Sequence, residues 1–297
     1  MDFDAFIQQG WDDHVDDSPG VAQRLQAQGP ALLSQESQIL PLAHLAHHVW
    51  GEHLGRWLDG QAFLQQLAAL PACTAGGAAA QGLQRYMASL NLCAGAADAR
   101  TGLSASDRIR VTAMTAAALA ERDAPRALVL FEQALAEADA TALPDTDPYT
   151  RALAVTGNSL ACALEEKPGR SAEERRLMVL AAQTARRYWA LAGGWMETER
   201  AEYRLAKTWL QAGDVAQARQ HAQNCLEIVD AQDPPAPALE RFFGWEALGT
   251  VERAAGNATG LAQALAEAQT AFSALEESDR GWCQASLDAL QASPVTV

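Results

Sequence analysis

The chain has 297 residues, 49% of them apolar but only 6% aromatic, and carries a formal charge of -15 at pH 7. Affinity for nucleic acid comes largely from lysines and arginines that displace counterions, so a surface this acidic excludes nucleic acid as a default partner. No run of 18 or more apolar residues is present to span a bilayer, and the acidic start MDFDAFIQQGWDDHVDD lacks the basic and apolar regions of a secretion signal, so we expect a cytoplasmic protein that engages no membrane.

Ala and Leu, strong helix formers, dominate the apolar share, and no alternating run of Val, Ile, Thr and Tyr is long enough for a strand. The expected class is all-α. Residues 2–16 and 18–34 read as a first helical pair, with Ser18-Pro19 supplying a cap and then Pro at the first helical position. A helix over 36–52 follows, with Leu40, Leu42, Leu45, Val49 and Trp50 on its apolar side, and Gly55-Arg56-Trp57 opens its return partner to about Leu70. The segment PACTAGGAAA (71–80) has weak helix signals and marks a boundary, and a helix over 81–93 leads into a second loose stretch. With Ser106 as the expected cap, hairpins then follow over 107–122 and 125–140, 149–166 and 171–192, 198–212 and 215–230, and 238–255 and 259–276, with a capping helix over 282–290. This divides the chain into 1–72, amino-terminal hairpins; 73–104, a connecting segment; and 105–297, the main array. The five cysteines, Cys73, Cys93, Cys162, Cys225 and Cys283, form no CxxC pair and read as small hydrophobes kept reduced.

The last two hairpins share a grammar. One has Leu205-Ala206, Trp209, the turn Gly213-Asp214 and Ala218; the other has Trp245, Leu248-Gly249, the turn Gly256-Asn257, Leu265 and Ala268. Ala127, Phe131 and Ala134 fit the same pattern upstream, as do Leu160-Ala161 and Leu164, while residues 1–70 fit it loosely. These segments resemble tetratricopeptide repeats, although the turns Gly169, Gly213 and Gly256 recur about 43–44 residues apart, beyond the 34-residue form. The resemblance implies a right-handed superhelical α-solenoid whose first helices line a concave surface that holds a protein or peptide partner. Residue by residue, it places Asn158, Arg200, Tyr203, Lys207, Glu246, Thr250 and Arg253 on that surface. Arg200 and Lys207 are suited to hold a carboxylate in an otherwise acidic chain. Self-association is left open.

The stretch LAHLAHHVWGEHLGRW holds four of the six histidines. At a period of 3.6, His44, His48 and Glu52 share one helix face, with His47 and His53 beside them, and two imidazoles at i and i+4 are a metal-chelating pair. HEXXH is absent and no cysteine is placed to complete a set, so the leading expectation here is structural, with a metal- or small-molecule-binding protein as the alternative. No Walker loop, GxGxxG, GxSxG or nucleophile triad can be assembled by spacing, so neither catalysis nor a cofactor is expected.

Overall fold

The computed structural model describes residues 2–292, and every regular element among them is helical. Fourteen α-helices occur in these residues, and none is long and apolar enough to cross a membrane. The chain divides into two compact units, residues 1–149 and 150–297.

The first unit contains α1 (Phe3–Asp13), α2 (Ser18–Leu32), α3 (Ile39–His47), α4 (Trp57–Ala68), α5 (Ala78–Cys93), α6 (Ala105–Leu119) and α7 (Ala124–Ala140). Its centre is α3, which packs on α1, α2, α4 and α5. The sequence accounts for this position. Ile39, Leu42, Ala43, Leu45, Ala46 and His47 make α3 apolar over most of its circumference, so it is buried on all but the side of Pro41 and His44. Phe6, Leu25, Phe63, Leu64 and Leu83 complete the core, and the Trp50 ring lies 4.9 Å from that of Phe63.

The helix expected over 36–52 is three elements. A 3-10 turn, Glu36–Gln38, leads into α3, and the chain then widens into a π-turn, His48–His53. There the Leu54 N–H reaches back five residues to the Val49 carbonyl at 3.0 Å, and the Arg56 N–H six residues to Trp50 at 2.9 Å. The Trp57 indole donates to the Gly51 carbonyl at 3.2 Å, pinning the turn from outside. Two caps also differ from expectation. Asp17, ahead of Ser18, accepts from the Gly20 N–H at 2.9 Å. Ser104, ahead of Ser106, accepts from the Asp107 N–H at 3.1 Å. Ser104-Ala-Ser-Asp107 has the spacing at which a hydroxyl reaches the third residue of a helix, while the Ser106 hydroxyl donates to Asp147 at 2.6 Å.

The second unit takes in α8 (Pro148–Glu166) from its third residue, then α9 (Ala172–Ala192), α10 (Trp195–Ala212), α11 (Val215–Asp230), α12 (Ala238–Ala254), α13 (Ala258–Ser273) and α14 (Glu277–Gln291). Consecutive helices fold back on one another in a repeat-like succession, and α10 also packs on α12, two helices along. The two best turns are built alike. Gly213 has φ 87° and Gly256 φ 69°, the left-handed region a glycine enters without a Cβ clash. At 2.9 Å in each, the next N–H reaches back to close the first helix, Asp214 to Trp209 and Asn257 to Glu252. The side chains of Asp214 and Asn257 then cap the second helix, accepting from Gln217 N–H at 3.0 Å and Gly260 N–H at 3.2 Å. Small residues set the helix spacing: a Cβ on Gly157 of α8 would lie 2.6 Å from the Ala181 carbonyl oxygen of α9.

Candidate functional site

Two regions gather polar side chains in geometries that packing alone does not require. One lies on α10 and α12 of the second unit, and the other surrounds the π-turn of the first.

On α10 and α12 the residues expected to line a binding surface are engaged with buried carboxylates. Arg200 extends from α10 to Glu240 of α12 at 2.7 Å, and Lys207 lies 3.6 Å from Glu246, which also accepts from the Thr250 hydroxyl at 3.3 Å. Glu240 and Glu246 are each only 4% exposed, so these cations compensate charges that burial would otherwise strongly disfavour. The Lys207 ammonium also sits 5.4 Å from the Tyr203 ring centroid. Burial, then the carboxylate of Glu246, raises the Tyr203 phenol above its usual range, which keeps it a neutral donor. Arg253 turns the other way and donates to the Leu290 and Ala292 carbonyls at the end of α14. Asn158 is half-buried on α8, and no hydrogen bond or ring contact of this group reaches it among the described residues. Oε2 of Glu246 and Nε1 of Trp209 are buried without a hydrogen-bond partner.

An aromatic row crosses the same face. The Tyr203 ring on α10 meets Phe243 on α12 edge to face at 5.5 Å, and Phe243 stacks on Trp282 of α14 at 5.0 Å. Tyr203 and Phe243 are half-buried and Trp282 is 57% exposed. Phe243 and Trp282 are absent from the sequence-derived set, because the repeat matches of the last hairpin begin at Trp245, after Phe243, and end at Ala268, before α14.

The surrounding charges are paired as well. Glu252 takes both Arg219 nitrogens, at 2.6 and 2.9 Å, and Glu165 takes Arg204 at 2.6 Å and the Thr208 hydroxyl. Burial works to raise the Glu202 carboxyl, but hydrogen bonds from His221 and Arg186 override it and leave the group below its ordinary range. Glu199 lacks such a cation. It accepts from the Cys225 thiol at 2.8 Å, and burial pushes it up to about 7.

In the first unit five of the six histidines converge within residues 14–53. Within the π-turn, His48 Nδ1 contacts Glu52 at 2.9 Å, an i,i+4 relation. Within the turn, the wider coil also lays His53 against His48, with their Nε2 atoms 3.0 Å apart. His14, at the end of α1, joins them from 34 residues away: its ring centroid lies 4.9 Å from His48 and 5.0 Å from His53. One ring nitrogen from each of His14, His48 and His53 falls within 4.8 Å of the others, and all three residues are half-buried. His44 lies apart from this trio, between Trp11, at 5.1 Å, and Tyr86, at 6.2 Å. His47 is buried and bonds the Ser89 hydroxyl at 3.0 Å. Burial, then the neighbouring His48 and His14, holds His53 down to about 4, and burial alone does most of the same for His47, also about 4.

Among the described residues the chain is all-helical and repeat-like, with an aromatic row on α10, α12 and α14 of the second unit and a histidine cluster in the first. No family model matches the chain, and comparison with the curated proteins and with the solved structures finds no similar one.

Proposed function

We propose that the chain is a non-enzymatic, tetratricopeptide-like scaffold that holds a peptide or protein segment against the row formed by α10, α12 and α14. The observation that carries this reading is the run Tyr203–Phe243–Trp282, half-open to solvent on the alternate helices α10, α12 and α14 of the second unit. Amphipathic rings with little rotamer freedom give much contact area at low entropic cost, and aromatic and arginine side chains dominate binding energy where they cluster. Arg200, mostly exposed beside this row, is the polar rim. Because Arg200 and Lys207 already neutralise Glu240 and Glu246, apolar anchoring outweighs capture of a carboxylate. A cytoplasmic setting belongs to this reading, since all five cysteines are free thiols.

A random-peptide display library selected on the full chain tests it. The expected result is a saturable peptide whose affinity falls at least tenfold in Trp282→Ala and in the double variant Arg200→Ala/Lys207→Ala. Absence of any saturable peptide, or binding that is indifferent to all three substitutions, contradicts it.

A further inference from the structure

We infer that His14, His48 and His53 form a site for a divalent transition-metal ion of the zinc type, bound through three imidazoles with a fourth position open to an exchangeable ligand. Three features of the cluster support this assignment beyond the number of histidines.

The first is spacing. Two nitrogens on a tetrahedral zinc with bonds of 2.0–2.1 Å stand roughly 3.3 Å apart. The Nε2 atoms of His48 and His53 are already 3.0 Å apart, and the His14 donor lies within 4.8 Å of both.

The second is the arrangement behind the ligands. A metal-bound imidazole usually gives its other nitrogen to a carboxylate or a backbone carbonyl, which fixes the ring and makes it more basic. His48 offers Nδ1 to Glu52, and His14 offers Nδ1 to the Trp11 carbonyl, so each presents Nε2 to the shared space. Glu52 therefore serves as an orienting group behind His48 rather than as a ligand. The backbone around the donors is also held: the Ser18 hydroxyl donates to the His14 carbonyl at 2.6 Å, and Arg122 donates to the His53 carbonyl.

The third is the π-turn itself. A regular helix would carry His53 away from His48, and the wide turn returns it at i+5. The turn is fixed by side chains that have no part in the cluster, since a Cβ on Gly60 of α4 would lie 2.8 Å from Trp50, and the Trp57 indole holds Gly51. The donor set is all nitrogen and half-exposed, which suits zinc and its neighbours in the transition series better than magnesium or calcium, both of which take oxygen ligands.

Full-length chain without a histidine tag, equilibrated with zinc sulfate and dialysed, is expected to retain one zinc per chain by elemental analysis. His14→Ala and His53→Ala are expected to lose it, while His44→Ala and His221→Ala keep it. Glu52→Gln is expected to bind 10- to 100-fold more weakly in competition with a chromophoric chelator. Retention well below one zinc, or equal retention by His14→Ala, overturns the assignment. The cobalt(II) form of the unaltered chain gives a reading free of variants. Intense visible bands of a four-coordinate nitrogen site support the inference, and the weak bands of a six-coordinate ion overturn it.

Discussion

The two units treat ionisable side chains in opposite ways. In the second unit, Glu165, Glu202, Glu240, Glu246 and Glu252 are all withdrawn from water, and each meets at least one Arg, Lys or His on another helix. In the first, three imidazoles share one half-open space with a single carboxylate behind them. Buried charges that are mutually satisfied bind helix to helix and have little capacity left for a ligand, so on that face the aromatic row is what remains available. The three clustered imidazoles keep ring nitrogens turned toward one shared space, where a cation that all three can ligate would fit.

The largest expected effect comes from breaking a pair in the second unit. Arg204→Met leaves Glu165 facing only Thr208, and we expect a loss of about 3 kcal/mol in urea unfolding, the scale for removing one partner of a buried pair. Arg56→Ala in the first unit removes an ion pair with Asp59 that is more than half exposed, and the expected change is under about 0.5 kcal/mol.

Glu199 is the exception that sharpens the contrast, being buried without a cation of its own. Its folded-state value of about 7 lies above the ordinary 4.5, so the unfolded chain releases this proton first as pH rises. The stabilisation is present in full below about 4.5 and is lost as pH climbs through about 7. Glu199→Gln is therefore expected to be nearly neutral at pH 4.5 and stabilising by on the order of 2 kcal/mol at pH 8, read from paired denaturation curves. Equal effects at the two pH values would show that Glu199 ionises freely.

A smaller effect tests the turn design. Gly213→Ala places a Cβ at φ 87° and is expected to cost about 1 kcal/mol. Gly194→Ala, at extended φ -103°, is expected to cost less.

Features written in adjacent residues were legible in the sequence. Gly213-Asp214 and Gly256-Asn257 announce their turns because the left-handed glycine and the capping side chain act over three or four residues. The cap is Ser104 rather than the expected Ser106: both serines precede Asp107, and only the reach of the hydroxyl to the Asp107 N–H separates them. The histidine cluster was half-legible. A 3.6-residue period pairs His48 with Glu52, as observed, but cannot place His53 over His48, because a π-turn has a different period and is stabilised by Trp57 and by the α4 packing around Gly60. His14 was hidden further, since its approach depends on how α1 lies against α3. The concentration of five histidines in the first 53 residues was the signal available.

The division of roles between the units is tested most directly by hydrogen–deuterium exchange on the full chain with and without one equivalent of zinc. The account predicts slower exchange at the end of α1 and through the π-turn, residues 11–18 and 44–57, with residues 150–292 unchanged. Unchanged exchange in the first unit, or protection centred on the second, would contradict it.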